Sequence, residues 1–247
     1  MSLRPAVWMV AACAVAGCSA PAPLADAERD GARPAAATTS RDTADTAALE
    51  AAFWARRAAD RQRFTQADTD FMTGMIGHHA QALIMAAMAP THGASPQLQT
   101  LAARIDNSQR AEIASMQRWL ELRGQPVPQV HIEGTRLMIH GAGGHGDHGG
   151  HMGHGDHAMM PGMLTQDQLD ALDAARGDRF DRLFLHYMIA HHEGAVVMVE
   201  DLFAADGAAQ DDDSFKLASD IQADQKTEIA RMQRMLDALG GPPPDTD

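Results

Sequence analysis

Aromatic side chains are scarce: one Tyr, three Trp and seven Phe make up 4% of 247 residues. Strands favour aromatic and β-branched residues, so this shortage in an Ala-, Met- and Gln-rich chain leans the fold towards helix. Cysteine is nearly absent, with 2 residues, which excludes a disulfide scaffold. Basic residues are also few. The 20 Lys and Arg against 33 Asp and Glu leave a formal net charge of −13, which argues against a nucleic-acid partner because phosphate neutralisation needs a basic face. Two residue types are plentiful instead, with 16 Met and 13 His.

The N-terminus reads as an export signal over residues 1–17. Arg4 supplies a positive start, and the apolar run Val7 to Gly17 is too short to span a bilayer permanently. The run ends in Val15-Ala16-Gly17-Cys18, which resembles the bacterial lipobox. Cleavage before Cys18 would remove Cys13 and leave Cys18 to carry lipid. The expectation is an exported protein of the bacterial cell envelope, touching the membrane only through the Cys18 lipid. Ser19 favours the periplasmic face of the outer membrane. Residues 18–44, rich in Ala, Pro, Thr and Asp without a hydrophobic period, read as a flexible tether.

A self-comparison then organises the rest. Phe71-Met72-Thr73-Gly74-Met75-Ile76-Gly77-His78-His79, with Ala82 and Met85, returns as Phe184-Leu185-His186-Tyr187-Met188-Ile189-Ala190-His191-His192, with Ala195 and Met198. Downstream, Gln109, Glu112-Ile113-Ala114 and Met116-Gln117-Arg118 return as Gln225, Glu228-Ile229-Ala230 and Met232-Gln233-Arg234. The chain therefore holds two copies of one helical hairpin. A helical pattern begins near Asp45, Pro90, Gly93 and Pro96 break the first hairpin, and Asp206-Gly207 with the Asp211–Asp213 run break the second. Thr165 with Gln168 reads as a capping box opening the second copy's leading helix. The expected fold is an all-α, ferritin-like four-helix bundle over 45–241, with short extra helices. Repeat one covers 45–124, a disordered His/Met/Gly-rich loop 125–163 and repeat two 164–241. No segment reads as a convincing strand.

Helical stripes carry the candidate chemistry. Met75, His78 and Met85 share one stripe and Met188, His191 and Met198 its equivalent, while His79 and His192 lie about 100° round the helix. The partner helices offer Gln109, Glu112, Met116 and Gln225, Glu228, Met232. A methionine stripe alone is ordinary core filling, and a lone histidine is usually a hydrogen-bonded core residue. The same Met/His/Glu set occurring twice points instead to metal binding or a buried functional network, because buried imidazole and carboxylate are costly unless paired or bound to a cation. Thioether and imidazole without thiolate suit copper, Cu(I) above all, with silver and zinc as further candidates. Between the repeats, His140, His145, His148, His151, His154 and His157 stand among Gly, Asp and Met, a composition suited to loose ion capture.

The doubled Phe/Leu-x2-Met-Ile-x-His-His-x2-Ala-x3-Met motif, followed by Glu-Ile-x2-Met-Gln, resembles the CopM-like family, a domain of unknown function. The resemblance covers about Phe64 to Leu239 apart from the His/Gly insert. It implies a ferritin-like bundle and copper and silver binding through Met75, His78, His79, Met85, Met116, Met188, His191, His192, Met198 and Met232. The expected function is copper sequestration, tolerance or transfer, with copper-transfer proteins as candidate partners and the oligomeric state open. No nucleophile–base constellation or nucleotide loop is present, so no enzyme activity is expected. Two alternatives stand beside this. One is a structural or partner-binding envelope bundle whose His and Glu satisfy one another. The other is a di-iron protein, for which the Glu-x-x-His pairs are missing.

Overall fold

The structure, a computed structural model, describes residues 38–141 and 160–244. The elements are α1 (Thr38–Asp60), α2 (Gln66–Met88), α3 (Pro96–Leu122), β1 (Gln129–Glu133), β2 (Arg136–His140), α4 (Gln166–Ala174), α5 (Asp178–Ala204) and α6 (Asp212–Ala238). The chain divides into two units between Ala48 and Leu49, and the first contributes only the opening of α1 to the described residues. In the second unit α2 pairs with α3 and α5 with α6, while α2 also packs on α5 and α3 on α6. This is the bundle of two hairpins that the internal repeat predicts. Among the described residues no helix is long and apolar enough to cross a membrane.

Local chemistry sets the helix ends and ties them together. Thr65 caps α2 in a capping box with Asp68, whose Oδ2 accepts the Thr65 N–H at 2.8 Å. The other oxygen of this buried carboxylate accepts the Ala209 N–H at 2.7 Å and the Ser214 hydroxyl at 2.6 Å, so the start of α2 is joined to the α5–α6 turn. Pro96 opens α3 at a position where its missing N–H costs nothing. At the far end of α3 the Arg123 guanidinium is buried over the Trp119 ring and donates to Asp211, which itself caps α6.

The apolar residues form two clusters. One joins the later half of α2, the first half of α3, the first half of α5 and the end of α6, with Met85, Ile105, Phe184, Met188 and Met232 inside it. The other joins the first half of α2, the end of α3, the later half of α5 and the first half of α6, around Met75, Met116, Val199 and Ile221. Sharing of opposite halves shows that α2 and α5 run antiparallel. The two copies are thus related by an approximate two-fold axis across the bundle, and α2, α3, α5 and α6 each carry buried polar side chains between the clusters.

Four expectations are corrected. The 125–163 loop is not structureless throughout, because β1 and β2 form an antiparallel hairpin with Val130 opposite Ile139 and Ile132 opposite Leu137. Gly134, at φ 60°, supplies the left-handed turn residue between them. His140, expected in the floppy run, is the last residue of β2 and exposed. The Thr165–Gln168 capping box is real but opens the nine-residue α4, and the second copy's leading helix is α5, starting after Gly177. Finally, α1 starts at Thr38, inside the stretch expected to be tether. The signal, Cys18, and His145, His148, His151, His154 and His157 lie outside the described residues.

Replacing Arg123 with Met should destabilise the fold by about 3 to 5 kcal/mol, since it strands the buried Asp211 carboxylate. Urea denaturation checks this, and adding Asp211→Asn, which keeps a capping oxygen without the charge, should recover part of the loss.

Candidate metal centre

Between the two apolar clusters lies one layer of polar side chains. His78, His79, His191 and His192 are all at most 1% exposed. His78 and His191 meet across the α2–α5 contact, with ring centroids 3.9 Å apart and planes tilted by 39°. The adjacent residue in each pair turns the other way, as a step of about 100° round the helix requires. Thus the His79 Nε2–H donates to Glu112 Oε2 at 2.6 Å, and the His192 Nε2–H donates to Glu228 Oε2 at 2.7 Å. An ionised carboxylate only accepts, so these contacts put a proton on Nε2 of each ring and leave its Nδ1 facing no carboxylate.

None of the four Nδ1 atoms has a hydrogen-bond partner, nor does Nε2 of His191. Gln109 and Gln225, one turn before Glu112 and Glu228, add two buried unpartnered amide oxygens. Each such group costs about 1–3 kcal/mol when left unmade. A whole domain is stable by only about 5–15 kcal/mol, so a ring of seven is a large liability unless something binds there. Burial first, and the charge of the neighbouring His79 next, hold the His78 imidazole down at about 3. Burial and then the His78, His192 and His79 rings push His191 well below its ordinary value. Both rings are therefore neutral at pH 7, the form that ligates metals. On the α3–α6 side, Asp224 is raised by burial and then by the charges of Glu112 and Glu228, which places three carboxylates around the outer edge of the layer.

The layer is covered on one side by a short strap, residues 160–164. The His78 Nε2–H donates to the Pro161 carbonyl at 3.0 Å. The Gln81 amide grips Leu164 at both backbone groups, donating to its oxygen at 3.0 Å and accepting from its nitrogen at 2.8 Å. Gly194 is what lets the strap in: a Cβ there would stand 2.0 Å from the Pro161 oxygen. The strap, Gln81 and Gly194 were not singled out by sequence. The usable signal is that Gln81 and Gly194 occupy the same repeat position with unlike residues.

The sequence candidates thus separate. The four histidines with Glu112 and Glu228 converge in one layer. Met75 and Met116 lie fully buried in one apolar cluster, and Met85, Met188 and Met232 in the other, while Met198 is half-buried at the cluster edge. Among the described residues no group of three or more His, Cys, Asp or Glu is arranged to hold a metal, so carboxylates and imidazoles alone do not complete a site.

Residues 68–236 match the family described as a domain of unknown function, DUF305. The chain belongs to the DUF305 family. The match spans both hairpins and the segment between them. Among solved structures, a DUF305 fragment from Deinococcus radiodurans is similar at 28% identity and a TM-score of 0.54, covering 72% of this chain and 97% of that one. A DUF305 protein from Streptomyces coelicolor, at 23% identity and a TM-score of 0.55, shares the fold over 71% of this chain and 95% of its own. CopM in its Cu(II)-bound form is 31% identical at a TM-score of 0.50, covering 69% of this chain and 96% of CopM. No curated protein matches the chain.

Neutral burial of His78 and His191 gives this DUF305 protein a defined acid limb. Their folded values lie below the ordinary 6.5, so the unfolded chain takes up protons first. Stability is present above about pH 6.5 and drains as pH falls from there towards 3, by about 1.4 kcal/mol per pH unit for each ring. Urea denaturation of metal-free protein between pH 7.5 and 5 should show this slope. It should flatten in the His78→Leu, His191→Leu double variant.

Proposed function

We propose that this DUF305 protein is an exported copper-binding protein that sequesters the ion or hands it on. The observation that carries the reading is the doubled His–Glu arrangement. In each copy a carboxylate holds Nε2 of a buried imidazole and orients an unpartnered Nδ1 into the protein. This is how metal-bound histidines are supported: the outer carboxylate fixes the tautomer and raises the basicity of the ligating nitrogen. The ion is cargo. His79 and His192 would supply imidazole nitrogens, His78 and His191 further neutral rings, and methionine sulfur the softness that favours Cu(I) over hard ions. CopM, the Cu(II)-bound relative, supports copper as the element. The His/Gly run from His145 to His157 would gather ions with less selectivity, because a chain of that composition loses entropy on closing round them. The Cys18 lipid would hold the protein at the envelope.

The test is titration of metal-free mature protein with Cu(I) against a competing chelator. Deleting residues 142–158 should leave tight, saturable binding in place, and Glu112→Gln with Glu228→Gln should weaken it by about 10- to 100-fold. Binding confined to the deleted run would overturn the bundle site. Unchanged affinity in the Gln variants, with altered stability alone, would make the His–Glu pairs structural.

A further inference from the structure

Two of the positions at which the copies carry unlike residues, and one at which like residues differ in burial, lie beside the strap. Gly194 stands where the first copy has Gln81, and it admits the Pro161 carbonyl. Gly74 stands where the second copy has Tyr187, which leaves a notch one helical turn before His78. Met198 is half-buried, whereas its counterpart Met85 is fully buried.

Two thioether side chains fill the notch. A Cβ at Gly74 would have the Met160 sulfur at 3.4 Å and the Met198 methyl at 3.5 Å. Met160 is the first residue of the strap and follows the last histidine of the His/Gly run, His157, by three positions. The strap is not lying there by chance. Pro161 is bonded to His78, Leu164 is gripped by Gln81, and Gly162, at φ 75°, comes so close to α5 that a Cβ would sit 2.4 Å from the Ala190 carbonyl. Met160 is therefore held against α2 by its neighbours' backbone contacts.

From this convergence we infer that Met160 and Met198 form a two-thioether site for a soft monovalent ion, Cu(I) or Ag(I), at the Gly74 notch. It is the place where an ion first meets the bundle before reaching the histidine layer. Accessibility selects this pair. Met75, Met85, Met116, Met188 and Met232 are sealed in apolar packing, where an arriving ion would have to open the core to reach sulfur. Met160 and Met198 are both half-buried against Gly74, which lies one turn of α2 before His78, whose Nδ1 is unpartnered. Thioethers bind d10 ions and are poor ligands for Cu(II), so the site discriminates by softness. The inference rests on the copper-binding reading and adds to it a particular site, with a direction of approach.

The experiment compares the full mature chain with its Met160→Leu, Met198→Leu variant. Leu conserves volume, so the packing of the strap is kept. Ag(I) and Cu(II) affinities are measured by competition. Methionine oxidation by hydrogen peroxide is followed residue by residue, with and without one equivalent of Ag(I). In the unaltered chain Ag(I) should protect Met160 and Met198 at least 5-fold. In the variant the Ag(I) affinity should fall by 10-fold or more while the Cu(II) affinity stays within 2-fold. An equal fall for both ions would show a packing effect, and undiminished Ag(I) affinity would show that sulfur elsewhere does the binding; either result overturns the site while leaving copper binding in place. A chain that binds neither ion overturns both.

Discussion

Four imidazoles buried between two apolar clusters are the constraint on which this bundle depends. A hydrophobic core could have run unbroken from end to end, and it does not. The layer of His78, His79, His191 and His192 interrupts it at mid-height, and α3 and α6 carry Glu112 and Glu228 at that level to meet two of the rings. The carboxylate contacts relieve part of the cost of burial. They also fix which nitrogen of each outer ring is left bare, so partial relief and preorganisation come from the same two hydrogen bonds. Neutral His78 and His191 complete a layer whose remaining hydrogen-bonding capacity is buried and unused.

The two-fold character of the fold follows from the repeat, and so does much of what was legible in the sequence. Spacing alone showed two copies of a helical hairpin. It also placed His78 and Met75 on one stripe and the second histidine of each pair off it, which is how the rings diverge in the structure. Glu112 and Glu228 could be named as partners because each falls at the same place in its copy. Methionine was harder. Met85 and Met198 match in sequence, yet one is sealed in packing and the other sits at a cluster edge, a difference made by what lies over them. Periodicity reports the face of a helix and says nothing about its cover.

The connection between the repeats was the least legible part, for a physical reason. Gly-rich sequence lacks the periodic apolar signal that marks an element, and residues 160–164 take their conformation from tertiary partners rather than from propensity. Gln81, Gly194 and His78 hold them, and all three lie far away in sequence. The β-hairpin was not read either: Val130 and Ile132 alternate with polar residues, but Leu137-Met138-Ile139 is an unbroken apolar run with no period of two. Five-residue strands beside a His/Gly run are easily absorbed into it.

Symmetry and its breaking divide the work of the molecule. What is repeated, the His–Glu pairs and the helices that carry them, lies deepest and depends on the packing of both copies. What differs, Gly74 against Tyr187 and Gly194 against Gln81, lies on the one side where the strap crosses. A buried site built only from repeated parts would be preorganised but closed, since its sulfur atoms would be locked in the apolar clusters. One glycine in each copy, Gly74 in the first and Gly194 in the second, opens a notch and a groove beside the layer. The strap then occupies that opening with backbone carbonyls and one thioether, groups that bind weakly enough to be exchanged. Preorganisation thus resides in the repeated His–Glu geometry, and access with its preference for soft ions in the departures from it, an arrangement that two identical hairpins could not provide.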